Sequence, residues 1–201
     1  MGKQSRREEL LDAALAECVE NGYAATGVKE ITARAAVSHG TFYNYFDNRR
    51  ELLDVLVTRE VEGYLDVLRR AAFSPHPVTE DELRTQMQSV TADLLGLAMN
   101  RIDVSAFLSM NVAGVDKETL RSHLRHFHDL SGLASEVLAN AAAEGLIDES
   151  ISLEFAGQAW ISAILAVVIP AVADDQDVGD VDEVARTVTR VLLDGVPAPT
   201  A

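Results

Sequence analysis

The sequence predicts an all-α protein of about nine helices, with a short N-terminal module followed by a larger helical domain. Two local observations favour this class: helix-start signals recur along the chain, and no stretch shows sustained two-residue alternation with β-branched residues. A third is the composition, which is 48% hydrophobic over 201 residues. A chain of this kind can bury a sizeable core, so a disordered or low-complexity protein is excluded.

Start and stop signals mark the helices in order. An acceptor residue followed three positions later by glutamate forms a capping box in the sequence at four places: Ser5, Asn48, Thr79 and Asp180. Gly22 and Gly145 follow helical runs, and Leu146 is placed for a Schellman contact. The predicted helices span residues 5–21, 27–34, 38–46, 49–72, 80–101, 103–112, 117–144, 152–172 and 181–194.

Charge divides the chain unevenly. Residues 1–59 carry eight basic and nine acidic side chains, whereas residues 60–201 carry nine and twenty-three. Almost all of the net charge of −15 therefore lies after residue 59, and the N-terminal quarter is nearly neutral. We place the domain boundary in the fourth helix, which gives domains at 1–60 and 61–201.

Residues 27–46 are predicted to form a helix, a tight turn and a second helix. Thr26 is predicted to cap the first helix and Ser38 the second, with Val37 filling the turn. At about 100° per residue, three aromatics share the inner side of the second helix: Phe42, Tyr45 and Phe46. Its other side is short, uncharged and hydrogen-bonding, and carries Gly40, Thr41, Tyr43 and Asn44. Such a helix fits the DNA major groove; the alternative is an ordinary helical hairpin.

Many residues at fixed spacing resemble the DNA-binding domain of the tetracycline-repressor (TetR) family. The matching positions lie within about residues 7–57: Leu11-Asp12-Ala13-Ala14, Asn21-Gly22-Tyr23, Thr26, Ile31, Ala35, Val37-Ser38, Gly40-Thr41-Phe42-Tyr43, Tyr45-Phe46 and Glu51-Leu52-Leu53. The resemblance implies a homodimeric, usually repressing transcription factor that binds an inverted-repeat operator on double-stranded DNA. It also implies a small-molecule effector bound by the C-terminal domain.

The resemblance further implies which residues meet DNA. Seven would meet bases or phosphates, namely Ser38, His39, Gly40, Thr41, Tyr43, Asn44 and Tyr45. Phosphate contacts are expected from Thr26, Lys29 and Arg49, and contacts to the neighbouring groove from Lys3, Arg6 and Arg7. Because the chain has no basic patch, non-specific binding should be weak and salt-sensitive.

Three positions depart from the family pattern. His39 stands where the family often has lysine or arginine, Ala36 where it usually has glycine, and Thr32 where it favours alanine. If Ala36 occupies the glycine position of the turn, it should adopt a positive φ.

The resemblance implies that the region beneath the DNA-binding domain lines an effector pocket, and the composition of residues 85–115 agrees with this. Residues 85–115 hold three charged side chains and every methionine except Met1. Methionine fills irregular space and adapts to varied shapes. We predict an uncharged or weakly charged hydrophobic ligand, bound by Met87, Met99, Phe107, Met110, Asn111 and His123. The alternative is that these methionines simply pack a core.

Residues 155–173 form an uncharged run that is near the length of a membrane span. Both flanks are acidic and neither has a basic cluster, so a buried or interface helix is favoured. We expect this helix and the last one to pair with their copies in a dimer through Ala156, Ala159, Trp160, Ala163, Val184, Val188 and Val191.

Other conspicuous residues are not predicted to form sites. His123, His126 and His128 do not converge at helical spacing as metal ligands would. Cys18 is expected to be a small buried hydrophobe. No catalytic motif is found, so we expect neither an enzyme nor a cofactor or metal. One cysteine and no readable signal peptide favour the cytoplasm. The competing classes are an all-α carrier or enzyme and a membrane-associated interaction protein.

Overall fold

The computed structural model describes residues 3–111, 116–174 and 178–195. Within them the chain forms nine α-helices, one π-helical turn and no strand, which confirms the all-α class. The helices are α1 (Lys3–Asn21), α2 (Val28–Arg34), α3 (His39–Tyr43), α4 (Arg49–Ala72), α5 (Glu80–Asn100), α6 (Ile102–Ala106), α7 (Lys117–Ala143), α8 (Leu153–Asp174) and α9 (Val181–Asp194). The π-helical turn (Phe107–Asn111) follows α6 directly.

Predicted caps are present at three helix starts and one helix end. Side-chain oxygens of Ser38, Thr79 and Asp180 accept backbone N–H groups at the starts of α3, α5 and α9. After α7, Gly145 adopts a φ of +75°, its N–H donates to Ala142, and the N–H of Leu146 donates to Ala141. These two bonds are the Schellman motif expected from the sequence.

The structure differs from the sequence-based expectations in three local details. Helix α1 begins at Lys3, and Ser5 donates its hydroxyl to Glu9 instead of capping. Helix α3 ends at Tyr43, three residues early, because the N–H groups of the next two residues bond three positions back and tighten the chain. The sixth helix continues as a π-helical turn, for which no sequence signal was recognised.

Two compact units divide the chain. The first is Met1–Glu62 together with Asp103–Leu124, and the second is Gly63–Ile102 together with Arg125–Ala201. Helix α4 belongs to both, so the division falls inside it. The segment at 103–124, which the sequence-based division assigns to the C-terminal domain, belongs to the first unit.

The first unit buries one apolar face of each N-terminal helix. Among its fully buried side chains are Leu10, Leu11, Ile31, Phe42, Phe46, Leu52, Leu53 and Leu56. Cys18 is buried too, as expected, and this burial raises the pKa of its thiol. Helix α1 packs on α2, and the two are also joined by Arg34, which binds Glu17 at 2.7 Å and also Glu20.

The second unit is built on the extensive pairing of α5 with α9, with α8 packed on both. Its core includes Leu94, Leu95, Val137 and Trp160. At Gly157, α8 approaches α7 so closely that a Cβ would lie under 3.0 Å from atoms of Ser131 and Ser135.

Candidate nucleic-acid interface

The turn between α2 and α3 is made by a residue with left-handed backbone. Ala36 has a φ of +52°, which confirms the prediction for this position. The N–H of Val37 donates to the carbonyl of Thr32 at 3.0 Å and closes the turn. A side chain at positive φ is strained, so the packing of α2 and α3 must hold Ala36 in place.

Helix α3 is anchored from behind by aromatic rings. Phe42 and Phe46 are buried, with ring centroids 5.6 Å apart. The ring of Tyr43 meets Phe42 edge-on at 5.3 Å, although Tyr43 is 56% exposed. At the start of the helix, Ser38 Oγ accepts the N–H of Thr41 at 3.2 Å. The outer face is therefore fixed although the helix has only five residues.

The outer face is polar and carries no permanently charged side chain. Its exposed residues are Ser38, His39, Gly40, Tyr43 and Asn44, and Thr41 and Tyr45 are half-buried beside them. A face of this kind offers hydrogen-bond donors and acceptors in a fixed pattern, which is what base-edge recognition requires.

His39 is tied to α2. Its Nδ1 lies 3.2 Å from Oγ1 of Thr32, which is buried within α2. The same hydroxyl lies 2.8 Å from the carbonyl oxygen of Val28 and 3.2 Å from that of Lys29. Thr32 and His39 both depart from the family pattern, and they are in contact with each other.

Thr26 and Arg49 donate hydrogen bonds to backbone carbonyls of the loop before α2. The predicted cap by Thr26 is wrong, because Gly27 is the N-cap of α2 and Thr26 is buried, donating its hydroxyl to the carbonyl of Gly22 at 2.9 Å. Arg49 donates to the carbonyls of Tyr23, at 3.1 Å, and Thr26. Its guanidinium also lies 4.1 Å from the centroid of the Tyr23 ring. Both residues therefore fix the loop.

The remaining basic residues near α3 differ in whether their charges contact carboxylates or aromatic rings. Lys29 is exposed, Arg6 pairs with Glu9 at 2.6 Å, and Arg7 lies over the ring of Phe46 at 5.4 Å. Hydrogen bonds donated to Glu20 and Glu17 raise the pKa of the Arg34 guanidinium, so its charge is already matched by carboxylates. Of the two basic residues of α2, Lys29 is exposed and takes part in none of the ion pairs seen among the described residues, whereas Arg34 is paired.

An ion pair that sequence reasoning missed joins α4 to the start of α7. Arg50 Nη1 donates to Asp116 Oδ2 at 2.6 Å. The other oxygen of Asp116 accepts the N–H groups of Glu118 at 3.0 Å and Thr119 at 2.8 Å, so Asp116 caps α7. The bonds from Thr119 are the main cause of the lowered pKa of the Asp116 carboxyl. The partners lie 66 positions apart, so no local signal reveals them.

Comparison with known proteins agrees with this geometry. Residues 10–56, which include the whole helix-turn-helix, match the family model described as bacterial regulatory proteins, tetR family. Residues 10–56 therefore form a DNA-binding domain of the TetR type. The prediction of a DNA-binding regulator is thereby confirmed. Members of the TetR family bind operator DNA, respond to small molecules and act as dimers.

Similarity to individual transcriptional regulators extends over most of the chain. The HTH-type transcriptional repressor KstR2 of Rhodococcus jostii is 25% identical, over 98% of this chain and 94% of the relative. FadR of Bacillus subtilis, solved in complex with stearoyl-CoA, superposes with a TM-score of 0.82 at 19% identity, covering 94% of this chain and 99% of that one. Thermus thermophilus FadR, solved with lauroyl-CoA, has a TM-score of 0.66 at 23% identity, covering 97% of each chain. The two structures share the fold of this chain.

The residues predicted to bind the effector lie in both units. Met87 is buried in the second unit's core and Met99 packs against that core half-buried. Phe107 is buried and His123 half-buried, and both belong to the first unit. Met110 and Asn111 lie in the π-helical turn, and their side chains are outside the described part of the chain.

Helix α8 has two apolar faces. Trp160 does not lie at the surface as an interface residue would, because it is 0% exposed and donates its indole N–H to Thr91 Oγ1 at 2.8 Å. Val188 of α9 is likewise buried in the core. Of the other predicted interface residues, Ala159 and Val191 are exposed, and Ala156, Ala163 and Val184 are half-buried against the core.

The outward face of α8 forms a second apolar surface. We call it the α8 stripe: Phe155, Ala159, Ser162, Ala166 and Ile169, all exposed and spaced three or four positions apart. By length and composition, residues 153–173 are apolar enough to cross a membrane. The inward face packs in the protein core, so what remains is a helix with one face covered and the α8 stripe open.

Proposed function

We propose that this chain is a dimeric repressor that binds an inverted-repeat operator through α3 and is released by a ligand carrying a long acyl chain. The observation that carries the proposal is the exposed, uncharged, hydrogen-bonding face of α3, anchored from behind by Phe42 and Phe46. We assign the protein to the cytoplasm, where its DNA would lie, and propose no catalytic activity for it.

The proposed DNA contacts follow the exposure of each side chain. His39, Gly40, Tyr43 and Asn44 would reach base edges or phosphates directly. Ser38, Thr41 and Tyr45 flank them. Lys29, Arg6 and Arg7 would contribute phosphate contacts. Thr26 and Arg49, which are engaged with the loop before α2, would act by holding the protein backbone in the correct position.

The α8 stripe is proposed to pair with its copy about a two-fold axis, together with Val191 of α9. An exposed apolar surface of this length on a soluble regulator is expected to be covered in the functional assembly. Dimerisation also explains why two recognition helices would read two half-sites about one helical turn or somewhat more apart.

The acyl ligand is proposed from two kinds of support. Two structures with this fold were solved with stearoyl-CoA and lauroyl-CoA, each of which carries a long acyl chain. Residues 85–115 of this chain are rich in methionine and poor in charge, as a site for an acyl chain would be. The expectation of a weakly charged ligand favours a fatty acid over its coenzyme A thioester. The experiment below compares the two and decides which head group is bound.

A route from ligand to DNA is proposed through α4. Arg50, at the start of α4, binds Asp116, and Asp116 caps α7. A ligand that favours a different position of α7 would therefore act on α4, shift residues 56–64 and change the spacing of the recognition helices. The ligand can release DNA only as far as it prefers that conformer over the DNA-bound one.

The DNA part of the proposal is tested by selection. The purified protein is incubated with a random pool of DNA duplexes and, separately, with genomic fragments, and the retained DNA is sequenced. We expect an inverted repeat with half-sites about one turn apart. Retention of no sequence above the starting pool would refute the proposed repressor.

The ligand part is tested by thermal shift followed by DNA release. The probes are palmitic acid, palmitoyl-CoA and coenzyme A without an acyl chain. We expect stabilisation and DNA release by at least one acylated probe and none by coenzyme A. Met99→Arg should weaken both effects, whereas Ser89→Arg, at an exposed position of the same helix, should not. A response to coenzyme A alone, or equal responses of both variants, would refute the acyl site.

A further inference from the structure

The contact between Thr32 and His39 fixes where the protons lie. Carbonyl oxygens only accept hydrogen bonds, and the Thr32 hydroxyl lies 2.8 Å from the carbonyl oxygen of Val28. The single hydroxyl proton is therefore donated within α2. Nδ1 of His39 lies 3.2 Å from Oγ1 of Thr32. Because the hydroxyl proton is used in the bond to Val28, the proton in the bond between His39 and Thr32 must come from Nδ1.

From this arrangement we infer that Thr32 is a positioning residue that holds neutral His39 with its proton on Nδ1, so that Nε2 faces DNA as a hydrogen-bond acceptor. The inference rests on the proposed DNA-binding function of α3. It assigns to His39 a chemistry that lysine or arginine at this position would not have, since both are donors only.

The acceptor has defined partners in the major groove. Donors there are the exocyclic amino groups of adenine and cytosine, whereas N7 and O6 of guanine accept. A neutral His39 that contacts a base should therefore favour adenine or cytosine at that position. Lysine and arginine commonly select guanine, so Thr32 and His39 together would change the operator preference.

Protonation removes the acceptor at Nε2 without moving the ring. His39⁺ keeps the Nδ1–H bond to Thr32, and Nε2 becomes a cationic donor suited to guanine or a phosphate. The charged side chains of α2, against which His39 packs, are Lys29, Glu30 and Arg34. Glu30 accepts the N–H of Gly27, and Arg34 is held by Glu17 and Glu20. Glu30 and Arg34 are thus engaged elsewhere. Lys29 has the same sign as His39⁺, and α3 itself carries no fixed charge, so the charge gained by His39 is available to DNA.

The proton position is tested without DNA. Long-range ¹H–¹⁵N correlation spectra of the histidine-labelled full-length protein, at about pH 8 where imidazole is neutral, report which ring nitrogen carries the proton. We expect the Nδ1–H form for His39 in the wild type and in Thr32→Ser, and the Nε2–H form to appear in Thr32→Val. Thr85→Val, which removes a similar threonine-to-carbonyl bond in α5, is the control and should leave His39 unchanged. An Nε2–H form in the wild type would overturn the inference whether or not the protein binds DNA.

The consequence for DNA is tested on the duplex that the wild type selects from a random pool. Each base pair of one half-site is replaced in turn, and affinities are measured at about pH 8 and about pH 5.5. We expect the wild type to prefer adenine or cytosine at one position by about threefold to tenfold at the higher pH, and to lose this preference at the lower pH.

The variants separate positioning from a purely structural role. Thr32→Val should lose the preference and its pH dependence, and Thr32→Ser should restore both. A Thr32→Val protein with the wild-type preference and pH profile would overturn the inference, as would one that weakens all duplexes equally at both pH values. If the wild type selects no DNA, the proposed function fails first, and the spectra still decide the proton position.

Discussion

The outer face of α3 and the α8 stripe are both exposed, but they differ in chemistry. The face of α3 carries hydroxyl, amide and imidazole groups on a helix of five residues, held rigid by buried phenylalanines. The α8 stripe carries almost only apolar side chains on a helix of twenty-two residues. A polar face of fixed geometry can discriminate among partners that offer matching donors and acceptors. An apolar stripe gains free energy from any complementary apolar surface, and a second copy provides one.

The difference predicts which substitutions each surface tolerates. On the α8 stripe a charge should be disruptive wherever it is placed, because its cost comes from lost solvation. On α3 the identity and position of each polar atom should matter, while the helix itself should tolerate the loss of an exposed side chain.

Ala166→Glu should break the dimer. Pairing of the α8 stripe with its copy would bury two unpaired carboxylates near each other, and an uncompensated buried charge costs about 3–5 kcal/mol. We expect a monomer in analytical ultracentrifugation and loss of operator binding. Ala139→Glu, at an exposed alanine of α7, is the matched control and should remain dimeric. A stable Ala166→Glu dimer would move the interface away from α8.

Gly157→Ala should destabilise the second unit. Its methyl group would lie under 3.0 Å from the carbonyl oxygen of Ser131 and the amide nitrogen of Ser135, so α8 must move away from α7. Overpacking of this kind costs about 1–3 kcal/mol in the free energy of unfolding. Gly132→Ala, in α7 with open space around it, should instead stabilise by about 0.5–1 kcal/mol. Denaturant titration of both variants measures the difference, and equal effects would contradict the close approach.

Ala36→Gly should raise stability slightly. Ala36 has a φ of +52°, and this strain costs about 1–2 kcal/mol that glycine would not incur. Glycine also raises the conformational entropy of the unfolded chain, which offsets about 0.4–1 kcal/mol of the gain. Ala35→Gly, at a neighbouring residue with a φ of −73°, should only destabilise. The midpoints of thermal unfolding separate the two, and a fall for Ala36→Gly as large as that for Ala35→Gly would mean that the turn is not strained.

Local chemistry made much of the first unit predictable. Caps, the left-handed turn and the aromatic anchors depend on residues within a few positions of one another, so their spacing in the sequence is sufficient. The positive φ of Ala36, the cap by Ser38 and the burial of Phe42 are of this kind. The cap by Thr26 failed because the adjacent glycine takes the N-cap position and leaves the threonine hydroxyl to the preceding turn.

Long-range contacts were not predictable from the same signals. The roles of Arg50 with Asp116 and of Trp160 with Thr91 depend on helices that meet across the fold. An α8 that is apolar on all sides gives no periodicity from which to tell its core face from its exposed one. Trp160 was therefore assigned to the interface, although it belongs to the core.

Tyr43→Ala tests most directly whether the outer face of α3 binds the operator. The measurement is the affinity of this variant for the selected duplex, beside Phe73→Ala as a control, since Phe73 is 84% exposed and lies in the second unit. We predict that Tyr43→Ala loses at least about tenfold in affinity, with unchanged helix content and dimer mass, and that Phe73→Ala binds like the wild type. Wild-type affinity in Tyr43→Ala would contradict the claim and place the recognition surface elsewhere.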